Sequence, residues 1–147
     1  MNPILFGFPE NTAFARALAA HLKTELGEVE WHRFPDHESL ITLHGDLAGR
    51  DVVLVCDFVD PDPKALPLHF AAHAARELRA QRVGLVAPYL PYMRQDTRFH
   101  VGQARSAFAF GRFLSSTVDW LVTVDPHLHR LHHLDEVFSI PTLSVSA

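Results

Sequence analysis

The feature that most constrains this chain is its regular alternation of short apolar runs with stretches of helical period. Asn2 to Phe8, Asp51 to Cys56, Arg82 to Ala87 and Trp120 to Val124 are nearly continuous apolar runs. Runs of that kind suit strands buried on both faces. Between them, Thr12 to Leu26 places Phe14, Ala17, Leu18, Leu22 and Leu26 at a 3.6-residue period, with Asn11 placed to cap its start and Gly27 its end. Val29 to Arg33 and Ser39 to Leu43 read as two further strands, and Thr142 to Val145 as a last one. A helix is expected from the proline-rich DPDPKALP stretch, which offers two starts, to about Ala80, and another over Ala104 to Leu114. Strands alternating with helices predict an α/β fold, a mostly parallel sheet with helices on both faces. Phe108, Phe110 and Phe113 fall on one short helix, too many for one core-facing side, so part of that surface is expected to meet another chain.

The 147 residues amount to one domain, residues 1–147. No apolar run approaches the length of a membrane span, and the N-terminus lacks a secretory pattern. The single cysteine, Cys56, lies inside an apolar run, so no disulfide is expected and a cytoplasmic setting is. A net charge of −4 argues against a nucleic-acid surface.

Positive charge is local. Arg94, Arg98 and Arg105 lie within a dozen residues, beside His100. The chain has neither GxxxxGK[ST] nor GxGxxG, so any phosphate is bound by side chains. The segment PYLPYMRQD, Pro88 to Asp96, leads out of a strand through stiff prolines into Arg94, Gln95 and Asp96. A guanidinium fork matches phosphate oxygens, and glutamine or aspartate can read a purine edge or a metal-bound water. The alternative is a rigid loop closed by an Arg94–Asp96 ion pair. In FPDHE, Phe34 can stack on a base while Asp36 and Glu38 alternate to one side as acceptors; the alternative is a plain polar turn.

VDPHLHRLHH, residues 124 to 133, permits two metal readings. His129, His132 and His133 have the spacing of one helix face and could hold Zn²⁺. Asp125 and His127, just beyond a strand, form a sparse site suited to Mg²⁺ shared with phosphates. HxxxH at His69 and His73 lacks the glutamate of HExxH and reads as packing or surface.

Together, RFPDHE, GRDVVLV, APYLPYMRQD, VDPH and VFSIPTLSV resemble, in order and spacing, the motifs of ribose-phosphate pyrophosphokinases. The resemblance implies a phosphoribosyltransferase type I-like domain. It also implies transfer of the β,γ-diphosphate of ATP to the C1 hydroxyl of ribose 5-phosphate, with Mg²⁺, in a homo-oligomer. Carried over by position, Phe34, Asp36 and Glu38, with His37 where the family has glycine, would hold the adenine side of ATP from a neighbouring subunit. Arg94 and Gln95, supported by Asp96, would bind ATP in their own subunit. His127 would contact Mg²⁺, beside Asp125. The family's chains are about twice as long, and their ribose-5-phosphate loop and basic catalytic loop have no counterpart in these 147 residues. The resemblance therefore assigns no catalytic residue and implies that this chain alone is inactive. A non-catalytic regulatory or oligomerisation relative is the competing reading. Pro126 for leucine, and TRFHVGQARSA after Arg-Gln-Asp, mark a divergent branch.

Overall fold

A computed structural model describes residues 2–147. Seven strands form one sheet: β1 (Ile4–Gly7), β2 (Glu25–Arg33), β3 (Ser39–His44), β4 (Asp51–Val55), β5 (Arg82–Ala87), β6 (Trp120–Val124) and β7 (Thr142–Val145). Three α-helices cross between them: α1 (Thr12–Leu22), α2 (Asp62–Glu77) and α3 (Ser106–Thr117). The spatial order is β3-β2-β1-β4-β5-β6-β7, and every neighbouring pair is parallel except β2 with β3. The chain steps outward from β1 to β3, then returns to β4 on the other side of β1. That reversal, with right-handed crossovers, puts α1 on one face and α2 and α3 on the other.

The strand pleat divides the core accordingly. Leu5, Val53 and Val55 pack against Ala15 and Ala19 of α1. Ile4, Phe6, Val52, Leu54 and Leu85 face the larger core, with Leu68, Ala71 and Ala75 of α2 and Ala107, Phe110 and Leu114 of α3. The expected class, α/β with a mostly parallel sheet covered on both faces, is the class found. Among the described residues, no helix is long and apolar enough to cross a membrane.

Local boundaries differ from the sequence expectation for physical reasons. Helix α1 stops at Leu22 rather than Leu26, because Lys23 takes a left-handed φ of 53° and its N–H closes on the carbonyls of Ala19 and Ala20. Leu26 belongs to β2, paired with Leu5, and Gly27 lies beneath the Phe6 ring instead of capping a helix. Asn11 makes no side-chain cap; its Oδ1 accepts the Asp57 N–H at 2.7 Å. Helix α2 starts at Asp62 with Pro67 inside it and ends at Glu77, short of Ala80, the chain turning through Arg79 at φ 65°. Helix α3 runs two to three residues later than expected, over Ser106–Thr117. All three of its phenylalanines reach the core: Phe110 is buried, and Phe108 and Phe113 pack half-buried beside it. The more exposed aromatics are Phe99, Tyr89, Phe14, Phe34 and Phe70.

Candidate functional site

In a parallel sheet all strand carboxyl ends lie along one edge, and ligands collect where the strand order reverses. Here that edge carries the segments after β1, β4, β5 and β6. Helix α2 is anchored there by Lys64, a buried lysine whose Nζ donates to Glu10 Oε2 at 2.7 Å and to the Asp57 carbonyl at 2.9 Å. Burial pushes the neighbouring Cys56 thiol up to about 12, against the lowering influence of Lys64, so it is inert core filler.

The segment after β5 is held from both ends. Tyr92 adopts a left-handed φ of 68°, and its hydroxyl donates a hydrogen bond to the Asp62 carboxylate at the start of α2. That bond, with some burial, pushes the Tyr92 phenol up to about 12. At the far end, Ala107 N–H donates to the Gln95 carbonyl at 3.1 Å, and Gln103 Oε1 accepts the N–H groups of Phe99 and His100. Arg94 and Gln95 are consequently exposed on a stiff loop. Gln95 lines a cavity of about 340 Å³ together with Thr97, Phe99, Gln103 and Ser106.

Asp96 does not pair with Arg94. Its side chain is 1% exposed and is engaged by Arg130. Burial alone would raise this carboxyl, but the Arg130 backbone N–H and guanidinium outweigh burial and hold it below the usual carboxylate range. Arg130 is a residue that motif matching passes over, being 34 positions from its partner.

After β6, Asp125 bends at φ 39°, and its carboxylate accepts the Ala147 N–H at 3.0 Å. Asp125 and His127 are both exposed, and the His127 ring stacks on His129 at 6.3 Å. The helix that would bring His129, His132 and His133 onto one face does not form. Instead Glu136 accepts the N–H groups of His132 and His133 at 2.6 and 2.8 Å, making His133 the cap of a short 3₁₀ turn, Leu134–Glu136. Among the described residues no three His, Cys, Asp or Glu side chains gather as ligands. The donor chemistry that exists, one carboxylate and one imidazole open to solvent, fits a hard cation that keeps most of its shell as water and phosphate oxygen.

The Phe34–Glu38 segment lies elsewhere. Strand β2 pairs with β1 only through Gly27, then continues six residues with β3 as a hairpin, an extension of roughly 20 Å. Its turn is tight rather than extended: Phe34 N–H donates to the Glu38 carbonyl, Asp36 Oδ1 accepts the Glu38 N–H at 3.1 Å, and His37 has φ 74°. Asp36, His37 and Glu38 therefore do not alternate along a strand. They line an open cavity of about 550 Å³ with Arg33, Asp62 and Phe70. Arg94 and Gln95 do not line that cavity, so the nucleotide-binding candidates fall into two separate groups within one chain.

Residues 4–115 match the family model for the N-terminal domain of ribose phosphate pyrophosphokinase. The chain belongs to that family. It is 36% identical over 144 residues to ribose-phosphate pyrophosphokinase of Methanopyrus kandleri, covering 98% of this chain and 48% of that protein. To the Halobacterium salinarum ribose-phosphate pyrophosphokinase it is 34% identical, covering 98% of this chain and 50% of the relative. The crystal structure of phosphoribosylpyrophosphate synthetase from Mycobacterium smegmatis superposes on the whole chain with a TM-score of 0.85 at 21% identity, over 49% of its own length. That likeness establishes the fold, phosphoribosyltransferase type I-like. The chain spans about half the length of the curated relatives it matches.

Proposed function

We propose that this chain is the ATP-side domain of a ribose-phosphate pyrophosphokinase, the enzyme that moves the β,γ-diphosphate of Mg·ATP to ribose 5-phosphate, giving phosphoribosyl pyrophosphate and AMP. Family membership carries the reaction class. The observation that carries the local assignment is the adjacency of the Arg94-Gln95 and Asp125-His127 loops at the ends of neighbouring strands β5 and β6. An arginine fork and a hard-cation position side by side suit a polyphosphate, whose transfer rests on positioning and charge neutralisation. Arg94 and Gln95 take the nucleotide phosphates, Asp96 supports them from beneath, and His127 with Asp125 contacts the Mg²⁺ that the phosphates bring. Phe34, Asp36, His37 and Glu38 take the adenine side of ATP bound to a neighbouring subunit; their separation from Arg94 within one chain supports a site completed by a homo-oligomer. Ribose 5-phosphate and the catalytic basic groups belong to a second domain, residues 1–147 being the N-terminal one. The setting is cytoplasmic, without nucleic-acid or membrane partners.

A second reading, a non-catalytic regulatory or oligomerising relative, draws support from an apolar groove between α2 and α3 lined by Leu66, Tyr92, Phe110 and Phe113. The deciding experiment measures AMP from Mg·ATP, with and without ribose 5-phosphate, using this chain alone and with the C-terminal half of the Methanopyrus kandleri relative. Sugar-dependent AMP in the mixture only is the expected result. Bound Mg·ATP without AMP favours the regulatory reading, and absence of both nucleotide binding and AMP overturns the proposal.

A further inference from the structure

The loops after β5 and β6 leave the sheet independently. Among the described residues no backbone–backbone hydrogen bond joins them, and every polar contact between them runs through Asp96 and Arg130. Arg130 N–H donates to Asp96 Oδ2 at 3.1 Å, while Nε and Nη2 both reach Oδ1 at 2.9 Å. The carboxylate is sealed from solvent, whereas the Arg130 side chain is 42% exposed and its guanidinium carbon lies 5.3 Å from the Phe99 ring centroid. Arg130 therefore touches one loop at its base, through Asp96, and again further along, through Phe99. Asp96 directly follows Gln95, and Arg130 lies three residues beyond His127.

From this geometry we infer that Arg130 is a positioning residue: its buried pair with Asp96 fixes the spacing between Arg94 and Gln95 on one loop and Asp125 and His127 on the other. The inference rests on the proposed nucleotide site for its consequence, but not for its geometry. Three donors on one carboxylate set both the distance and the angle between the loops, which a single surface ion pair would not. It also gives Asp96 its work: the aspartate turns inward to hold the second loop rather than outward to the ligand. Groups that orient a metal ligand from behind typically cost about 10- to 100-fold in affinity when lost, and Arg130 stands in that relation to His127.

The test uses Arg130→Met and Arg130→Lys in this chain, with amide hydrogen exchange in the absence of nucleotide and calorimetric titration with Mg·ATP. Arg130→Met is expected to speed exchange in both loops, at residues 95–103 and 125–131 together, and to weaken Mg·ATP roughly 10- to 100-fold. Arg130→Lys keeps the charge without the planar fork and is expected to recover only part of the affinity. A merely structural role would lower thermal stability while leaving affinity unchanged at temperatures where the variant is folded, and that result overturns the inference. So does faster exchange confined to residues 128–132. Should Arg130→Met fail to fold because Asp96 is left buried and unpaired, Asp96→Asn with Arg130→Met removes that charge and serves the same comparison. If the unsubstituted chain binds no Mg·ATP, the nucleotide reading falls, and the exchange comparison alone decides whether Arg130 couples the loops.

Discussion

Gly111 offers a test in which two local effects oppose each other and the structure says which wins. It lies within α3, where alanine is favoured over glycine by roughly 1 kcal/mol through backbone entropy. A helix-only argument therefore predicts that Gly111→Ala stabilises the protein. The added methyl, however, would press into the Val137 carbonyl oxygen and stand 3.0 Å from its carbon and 3.2 Å from Val137 Cβ. Comfortable carbon–carbon contacts are roughly 3.5–4.0 Å, and the obstacle is backbone rather than a mobile side-chain tip. The Val137 segment cannot simply retreat, because Leu134, Val137 and Phe138 are all buried around it. Overpacking costs about 1–3 kcal/mol, and a clash with backbone belongs in the upper half of that range, so against the gain of roughly 1 kcal/mol from the helix the expected net is a loss of about 1–2 kcal/mol. For a domain of this size that lowers Tm by roughly 2–8 °C. Thermal and urea unfolding followed by circular dichroism would measure it, with amide shifts of residues 134–138 reporting where the strain goes. A Tm equal to or above that of the unsubstituted chain would refute the packing argument and leave helix propensity in charge.

Thr123 is buried in β6, and its hydroxyl has no partner among the described residues, so Thr123→Val should raise stability by about 1 kcal/mol; a urea midpoint below the original would count against this. His37 holds a left-handed φ of 74°, a conformation costing an L-residue about 1–2 kcal/mol, of which glycine's freer unfolded chain returns about 0.4–1. His37→Gly should therefore raise Tm slightly, and a lower Tm would show that the imidazole makes a compensating contact. Asp96 has a folded-state pKa below its unfolded value, so its contribution is complete above about pH 4 and is lost as pH falls through the folded pKa. Urea midpoints from pH 6 to 2 should fall less steeply in Asp96→Asn than in the original; parallel curves would mean that other carboxylates carry the acid sensitivity.

The legible parts of this fold are those encoded over five or six consecutive residues. Apolar runs such as VVLV and RVGLVA admit few structures other than buried parallel strands, and the order of elements then places their carboxyl ends together. Less legible was any boundary where two periods coincide: Leu26 satisfies both the helical repeat of α1 and the pairing of β2 with Leu5, and only the sheet decides between them. The histidines of VDPHLHRLHH show the same limit at the site. Their spacing is necessary for a shared helical face, but the Glu136 carboxylate claims the N–H groups of His132 and His133 and makes them a cap. A carboxylate three residues after a cap is itself a sequence signal, and reading His133 to Glu136 that way would have argued for a turn. No comparable signal exists for Arg130. Its chemistry depends on a partner 34 residues away and on the depth at which β5 and β6 deliver their loops, quantities that only the assembled sheet defines. Motifs expose the groups that meet a ligand, whereas the groups that aim them become visible only once the fold has set their distances.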